Sequence, residues 1–425
     1  MKNTVNSKVL PNKLTLVTVN IPSFHSVTNF LVIRSGSRYE TPKNNGVAHF
    51  LEHMVFKGTK SYEGSKEIAE AIEGIGGYFN AWTSNDHTAY YNTVPSSQWR
   101  RGINVPFELA FTPKLRKEDM ERERGVIIEE IRRMNDDPSS LADDRLGEIL
   151  FPNNSIGYSV IGSEETINNM KIEDFKDYHT AHYAPSQAYF VAVGDLEGKD
   201  IESAVLEECA HLSEKPISKT EYIKKPSKKA LKLLNKKTDQ THFLLGSSDP
   251  ILSGNNNNQA VAAVLNAVLG SGMSSRLFLN IREKKGLAYS INSGYYSFED
   301  TGAIVIYGGV NTQKIAMTLE ALNEEFEKLM TEEVGEVELN KAKSLIQGSY
   351  DLRADRPIDI ATWYGTSFLL GNKRTFEQAK EEISAVTAKQ IKDLAQILFV
   401  KDRLALSVVG PYETDEIFAS YLELK

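Results

Sequence analysis

His49-Phe50-Leu51-Glu52-His53 has the residue types and the spacing on which metal-dependent hydrolysis can be built. A helix turns about 100° per residue, so His49 and His53 fall about 40° apart around the axis and both imidazoles can reach one point. Glu52 stands on the flank of that face, able to meet a water held there. Two neutral imidazoles, a carboxylate and an open position are how a catalytic zinc is built. Glu52 could take a proton from the water as it attacks a carbonyl. The competing reading is a surface helix with incidental histidines. Only eight of 425 residues are histidine, so a chance match to this spacing is rare.

Two side chains do not hold a catalytic metal tightly, and the segment Glu123-Arg124-Gly125-Val126-Ile127-Ile128-Glu129-Glu130-Ile131 offers a third. Glu123 and Glu130 are seven apart and share a helical face, whereas Glu129 points about 100° away, toward solvent or Arg133. One carboxylate on the metal and one behind a histidine would make physical sense. Glu-rich amphipathic helices are common, so the spacing alone leaves this assignment open.

These residues need elements to position them. Leu14 to Val19 and Val27 to Ile33 are β-rich runs that read as a hairpin over residues 15 to 34, with Pro22-Ser23-Phe24-His25 in the connection. A helix is expected from about Val47 to Phe56. Another is expected from Ser65 to Ile75, with Ser65 as N-cap and Gly76-Gly77 ending it. Residues 78 to 94 alternate and are aromatic-rich, which predicts two strands around Ser84-Asn85-Asp86. Helix is expected from Lys117 to Met134, stopping near Pro138, and from Ile172 to His182, leading into the strand Ala188 to Val193. This order indicates an α+β fold, a largely antiparallel sheet with helices packed on one face.

The polar, lysine-rich stretch 211–228, with Pro216 and Pro226, reads as a linker between a metal-binding catalytic domain (1–210) and a second domain (229–425). The second half restarts with a strand at Thr241 to Leu245, a helix at Gln259 to Leu269 and strands between Ala288 and Val310. Placing Phe30 on Phe243 puts Ala262, Leu265 and Asn266 where His49, Glu52 and His53 stand. Two domains of similar fold are expected, only one of them equipped for metal.

Composition narrows the function. With 49 basic against 57 acidic residues and a net charge of −8, a nucleic-acid partner is not expected. The single cysteine, Cys209, can form neither an intrachain disulfide nor a thiolate metal cage. No stretch is long and apolar enough to span a bilayer, and the first twenty residues contain no signal-like apolar run. The expectation is a cytoplasmic protein without membrane insertion.

The quintet followed by Glu130 resembles the inverted zinc-peptidase signature. The chain is similar to the pitrilysin-type metallopeptidases (inverzincins, peptidase family M16), and specifically to short forms related to the mitochondrial processing peptidase β subunit. Gly77 to Thr83, Tyr178 to Pro185, Gly270 to Phe278 and Arg282 to Tyr289 extend the likeness over nearly the whole chain. The resemblance implies a LuxS/MPP-like metallohydrolase fold and one Zn2+ per chain on His49, His53 and Glu130. It implies Glu52 as general base and Glu123 as support behind a ligand. Phe79, Asn80, Ala81, Trp82 and Thr83 would form an edge strand that takes an extended peptide by β-augmentation. Arg282 and Tyr289, from the second domain, would hold substrate backbone or the oxyanion.

The function so implied is a zinc-dependent endopeptidase that hydrolyses extended peptides or unfolded segments by metal-activated water. Homodimerisation, or pairing with a related chain, would complete an enclosure. The alternatives are a non-catalytic peptide-binding or scaffold subunit of a processing-peptidase-like complex, disfavoured by the intact motif, and a hydrolase of small amides. His179 and His182 read as structural. The glycine-containing loop 270 to 275 lacks a phosphate-binding lysine, so Ser274 or Ser275 is expected to cap the helix carrying Arg282.

Overall fold

The computed structural model describes residues 4–213 and 222–423, so part of the expected linker at 211–228 lies outside the described residues. The chain forms two compact units, each assembled from separate segments. One comprises Met1–Ile131, Tyr158–Glu221 and Leu352–Arg374, and the other Arg132–Gly157, Tyr222–Asp351 and Thr375–Lys425.

The first unit is built on six strands: β1 (Thr4–Val9), β2 (Thr15–Asn20), β3 (Ser26–Ile33), β4 (Tyr78–Thr83), β5 (Thr88–Pro95) and β6 (Ala188–Gly194). Their order is β1-β2-β6-β3-β5-β4. Only β2 and β6 run parallel; the other neighbours are antiparallel. The expected hairpin over residues 15 to 34 does not form, because β6 lies between β2 and β3. Ala-Tyr-Phe-Val-Ala-Val-Gly is a nearly continuous apolar run, and a strand buried on both faces takes the centre of a sheet.

Alternate residues of β3 serve the two faces. Val27, Leu31 and Ile33 join a core with helix α1 (Val47–Val55), α2 (Ser65–Glu73), α3 (Trp99–Phe111) and α4 (Lys117–Asp136). Phe30 and Val32 meet the helix Pro357–Leu369 on the other face. There Gly365 comes so close that an added Cβ would sit 2.5 Å from Phe30 Cε1. Helices therefore lie on both faces of the sheet, not on one. Two cap expectations also change. Ser65 is the first residue of α2, with Gly64 as N-cap and no side-chain capping bond. Pro138 opens a helix: Asp137 accepts hydrogen bonds from Ser139 N and Ser140 N, and Pro138 takes the first position of α5 (Pro138–Leu150).

The second unit has β7 (Ala230–Asn235), β8 (Gln240–Ser248), β9 (Ala288–Ser297), β10 (Gly302–Asn311) and β11 (Ala405–Gly410), ordered β7-β11-β8-β10-β9. This repeats β2-β6-β3-β5-β4, including one parallel pair, β7 with β11. The helix Gln259–Leu269 follows β8 as α1 follows β3, and its Ala262 and Leu265 are fully buried in an apolar core. Leu141, Leu146 and Leu150 of α5 cover the opposite sheet face against Leu244, Val305 and Val409. Each sheet is thus covered on its second face by a helix from the other half of the chain.

Candidate metal centre

Helix α1 starts without a local side-chain cap. Gly46 takes the left-handed conformation there (φ 94°), and a Cβ would press on Ile161 O at 2.8 Å. The orphan amides are met by Glu40, six residues before Gly46. Gly46 N and Asn45 Nδ2 donate to its Oε2 and Ala48 N to its Oε1, all at 2.8 Å. Phe50, Leu51, Met54 and Val55 then pack into the core, with Phe50 edge-on to Phe175 at 4.8 Å. This packing turns the remaining face, carrying His49, Glu52 and His53, toward α4.

Burial pushes the Glu40 carboxyl up to about 7 even though its hydrogen bonds pull it down. A carboxyl raised in the folded state adds stability in full below its unfolded value, and the addition is lost as pH rises through 7. The shift from 4.5 corresponds to on the order of 3 kcal/mol. The urea midpoint of the metal-free wild type should therefore fall relative to that of Glu40→Gln between pH 5 and pH 8. Parallel midpoints across that range would contradict this assignment.

Along α4, Glu123 and Glu130 share the face opposite α1 and do different things. Glu130 Oε2 lies 3.9 Å from His49 Nε2 and 3.8 Å from His53 Nε2. One ligand atom from each of the three residues falls within 4.8 Å of the others, the only such group of potential metal ligands among the described residues. Glu123 instead accepts from His53 Nδ1 at 3.0 Å and from Lys57 Nζ at 2.6 Å. That bond fixes the ring so that Nε2 faces Glu130.

Burial, then the charge of His53, lowers His49 to about 4, so it is a neutral imidazole. Burial also depresses His53, but its bond to Glu123 and the neighbouring carboxylates outweigh this and raise it; a bound cation would displace that proton. Burial works against the charge on Glu123, yet the bonds from His53 and Lys57 hold it below the ordinary carboxylate range. His49 Nδ1 is buried, with no hydrogen-bond partner among the described residues. Two imidazole nitrogens and one carboxylate oxygen converging on one point are a donor set that fits a single Zn2+.

Glu52 lies beside this group, and Thr83 Oγ1 donates to its Oε2 at 2.8 Å. Burial raises the Glu52 carboxyl, with the Thr83 bond and His53 pulling the other way. Strand β4 is an edge of its sheet. Phe79, Ala81 and Thr83 face α1, with Phe79 5.9 Å from the Phe56 ring, while Trp82 packs on Phe30 and Tyr91 from the other face. Asn80 is exposed, and its Oδ1 accepts from Ala81 N.

Arg282 and Tyr289 belong to the second unit. The guanidinium carbon is 5.9 Å from the Tyr289 ring centre and 4.8 Å from that of Phe278, and Tyr289 is 75 % exposed. The helix carrying Arg282, Leu277–Lys284, is a π-helix with Arg276 at its N-cap position. Neither expected serine caps it: Ser275 Oγ donates to Gly272 O. His179 Nε2 donates to Ala110 O and His182 packs between Tyr39 and Tyr178, both outside the metal group.

Sequence reasoning missed Glu40, Lys57 and the Thr83–Glu52 bond. Lys57 could have been found, since it follows His53 by one turn on the same face. Thr83 carried a weaker signal, its strand alternation with Phe79 and Ala81. Glu40 carried none.

Residues 15–164 match the family model described as insulinase (peptidase family M16), and residues 169–346 match the model described as peptidase M16 inactive domain. The uncharacterized zinc protease YmxG of Bacillus subtilis is 33 % identical over 402 residues, covering 94 % of this chain and 97 % of that protein. An uncharacterized zinc protease of Streptomyces coelicolor is 30 % identical over 418 residues, covering 96 % and 90 %. The crystal structure of a protease from Helicobacter pylori shares the fold, with a TM-score of 0.91 at 23 % identity over 96 % of this chain and 100 % of that one. The converging ligands lie in the half that matches the insulinase model, and Ala262, Leu265 and Asn266 lie in the half that matches the inactive one. The chain belongs to peptidase family M16 and is a zinc metallopeptidase.

Proposed function

We propose that this metallopeptidase is an endopeptidase for extended peptides or unfolded protein segments, with Glu52 as general base. The observation that carries this reading is the hydrogen bond from Thr83, the last residue of edge strand β4, to Glu52. A peptide added to the open edge of β4 would run its main chain past that carboxylate, which favours a polymer over a small amide. The residues that would hold the metal are His49, His53 and Glu130, with Glu123 and Lys57 orienting His53. A zinc ion there supplies Lewis-acid polarisation of water and carbonyl. Glu52 accepts the proton of the attacking water and later returns it to the leaving amine.

Arg282 and Tyr289 complete the reading as donors to substrate backbone and oxyanion, as the likeness to the processing peptidase β subunit suggests. The same likeness supports pairing with a second copy or a related chain, and the LuxS/MPP-like name for the fold. The test is an internally quenched peptide, an unfolded protein and an amino-acid amide offered to the purified chain. Internal cleavage of the first two, abolished by chelation and restored by zinc, is expected, and Tyr289→Phe should lower kcat with KM little changed. Hydrolysis of the amide alone, or release of terminal residues only, would overturn the endopeptidase reading.

A further inference from the structure

Thr83 is held more firmly than a residue at the end of an edge strand needs to be. It pairs with Thr88 at the last rung of the β4–β5 ladder. The turn that follows is fastened to residues 36–38. Asp86 accepts from Arg38 Nη1 at 2.8 Å, with both side chains buried, and Asn85 Nδ2 donates to Ser37 Oγ at 3.1 Å. Arg38 N donates to Asn85 O at 3.0 Å. Gly36 approaches so closely that a Cβ would meet the carbonyls of Ser84 and Asn85 at 2.4 Å. A buried, paired arginine and a close backbone contact leave this turn little freedom. Within it, Ser84 N donates to His87 O and Ser84 Oγ contacts His87 Nδ1, so the residues beside Thr83 bond to one another.

The Thr83 hydroxyl meets only Glu52 among the described side chains. A carboxylate only accepts, so the hydroxyl donates to Oε2, and among the described residues Oε1 has no hydrogen-bond partner. We propose that Thr83 is a positioning residue for peptide hydrolysis, its anchored hydroxyl holding Glu52 in one rotamer so that Oε1 is the oxygen that takes the proton. Its side chain then serves the enzyme's own carboxylate, while its strand offers main chain to the peptide. The proposal rests on Glu52 being the base.

Thr83→Val removes the hydroxyl while keeping shape and strand propensity. It should lower kcat roughly tenfold, the rate equivalent of one hydrogen bond to a charged group. KM, zinc content and melting temperature should stay near wild type. Thr83→Ser, which keeps the hydroxyl, should recover most of the rate. A merely structural residue would cost as much in any background, so the decisive measurement is the double-mutant cycle with Glu52→Gln. There, Thr83→Val should add nothing. A wild-type rate in Thr83→Val, a full additional loss in the Glu52→Gln background, or a Thr83→Ser variant as slow as the valine would each overturn the positioning role alone. A wild-type rate in Glu52→Gln itself would instead remove the base and the proposal with it.

Discussion

Glu52→Gln should retain its zinc and lose at least ~10²-fold in peptide hydrolysis, the lower range for a lost proton transfer. The ligand atoms that converge belong to His49, His53 and Glu130, and Glu52 is outside that set. The amide matches the carboxylate in size and can still accept from Thr83, so the helix and the ligand positions stay as they are. What it cannot do is take a proton. Metal content after dialysis and initial rates on a quenched peptide measure the two halves of this expectation. Zinc loss as complete as that of a ligand variant would make Glu52 a ligand or a support.

The second large effect is on the metal itself. His53→Ala should strip the protein of stoichiometric zinc and reduce hydrolysis to the level of the chelated wild type. Removing one of three donors should cost more than the ~10–100-fold in affinity typical of losing a partner behind a ligand. Glu123→Gln, which weakens the bond to His53 Nδ1 without removing a donor atom, should fall in that smaller range. Glu129→Gln is the control on the same helix and should leave zinc and activity unchanged. Elemental analysis of the three variants after identical dialysis separates them, and equal metal loss in Glu129→Gln would contradict the ligand assignment.

What was legible in the sequence was what local periodicity encodes. The helices Ile172–His182 and Gln259–Leu269 and the strand pair β4 and β5 match their expected positions, because apolar spacing and turn residues act within a few positions. The metal group was legible for the same reason, with two ligands one turn apart in one helix. The division of labour between Glu123 and Glu130 was not fixed by their spacing. It depends on which imidazole nitrogen each one faces across α1 and α4.

The β2–β3 hairpin was misread because the strand that separates them begins at Ala188, and no local pattern announces a partner that far along the chain. Helix α3 was not anticipated since it contains Gly102 and Pro106, two residues that usually interrupt helices. Gly102 is required by packing, because a Cβ there would fall 2.4 Å from Asn29 Nδ2.

The helix that covers Phe30 and Val32 is encoded at Pro357–Leu369, which matters while the chain is still on the ribosome. All strands of the sheet beneath α1 and α4 have been synthesised once Gly194 is added, yet one apolar face of that sheet waits for a segment near the end of the message. At ~5–20 residues per second the delay is on the order of ten seconds, long for an uncovered hydrophobic surface in a crowded cell. His49, His53 and Glu130 are all translated early, so zinc could be captured by the nascent chain before its own sheet is closed.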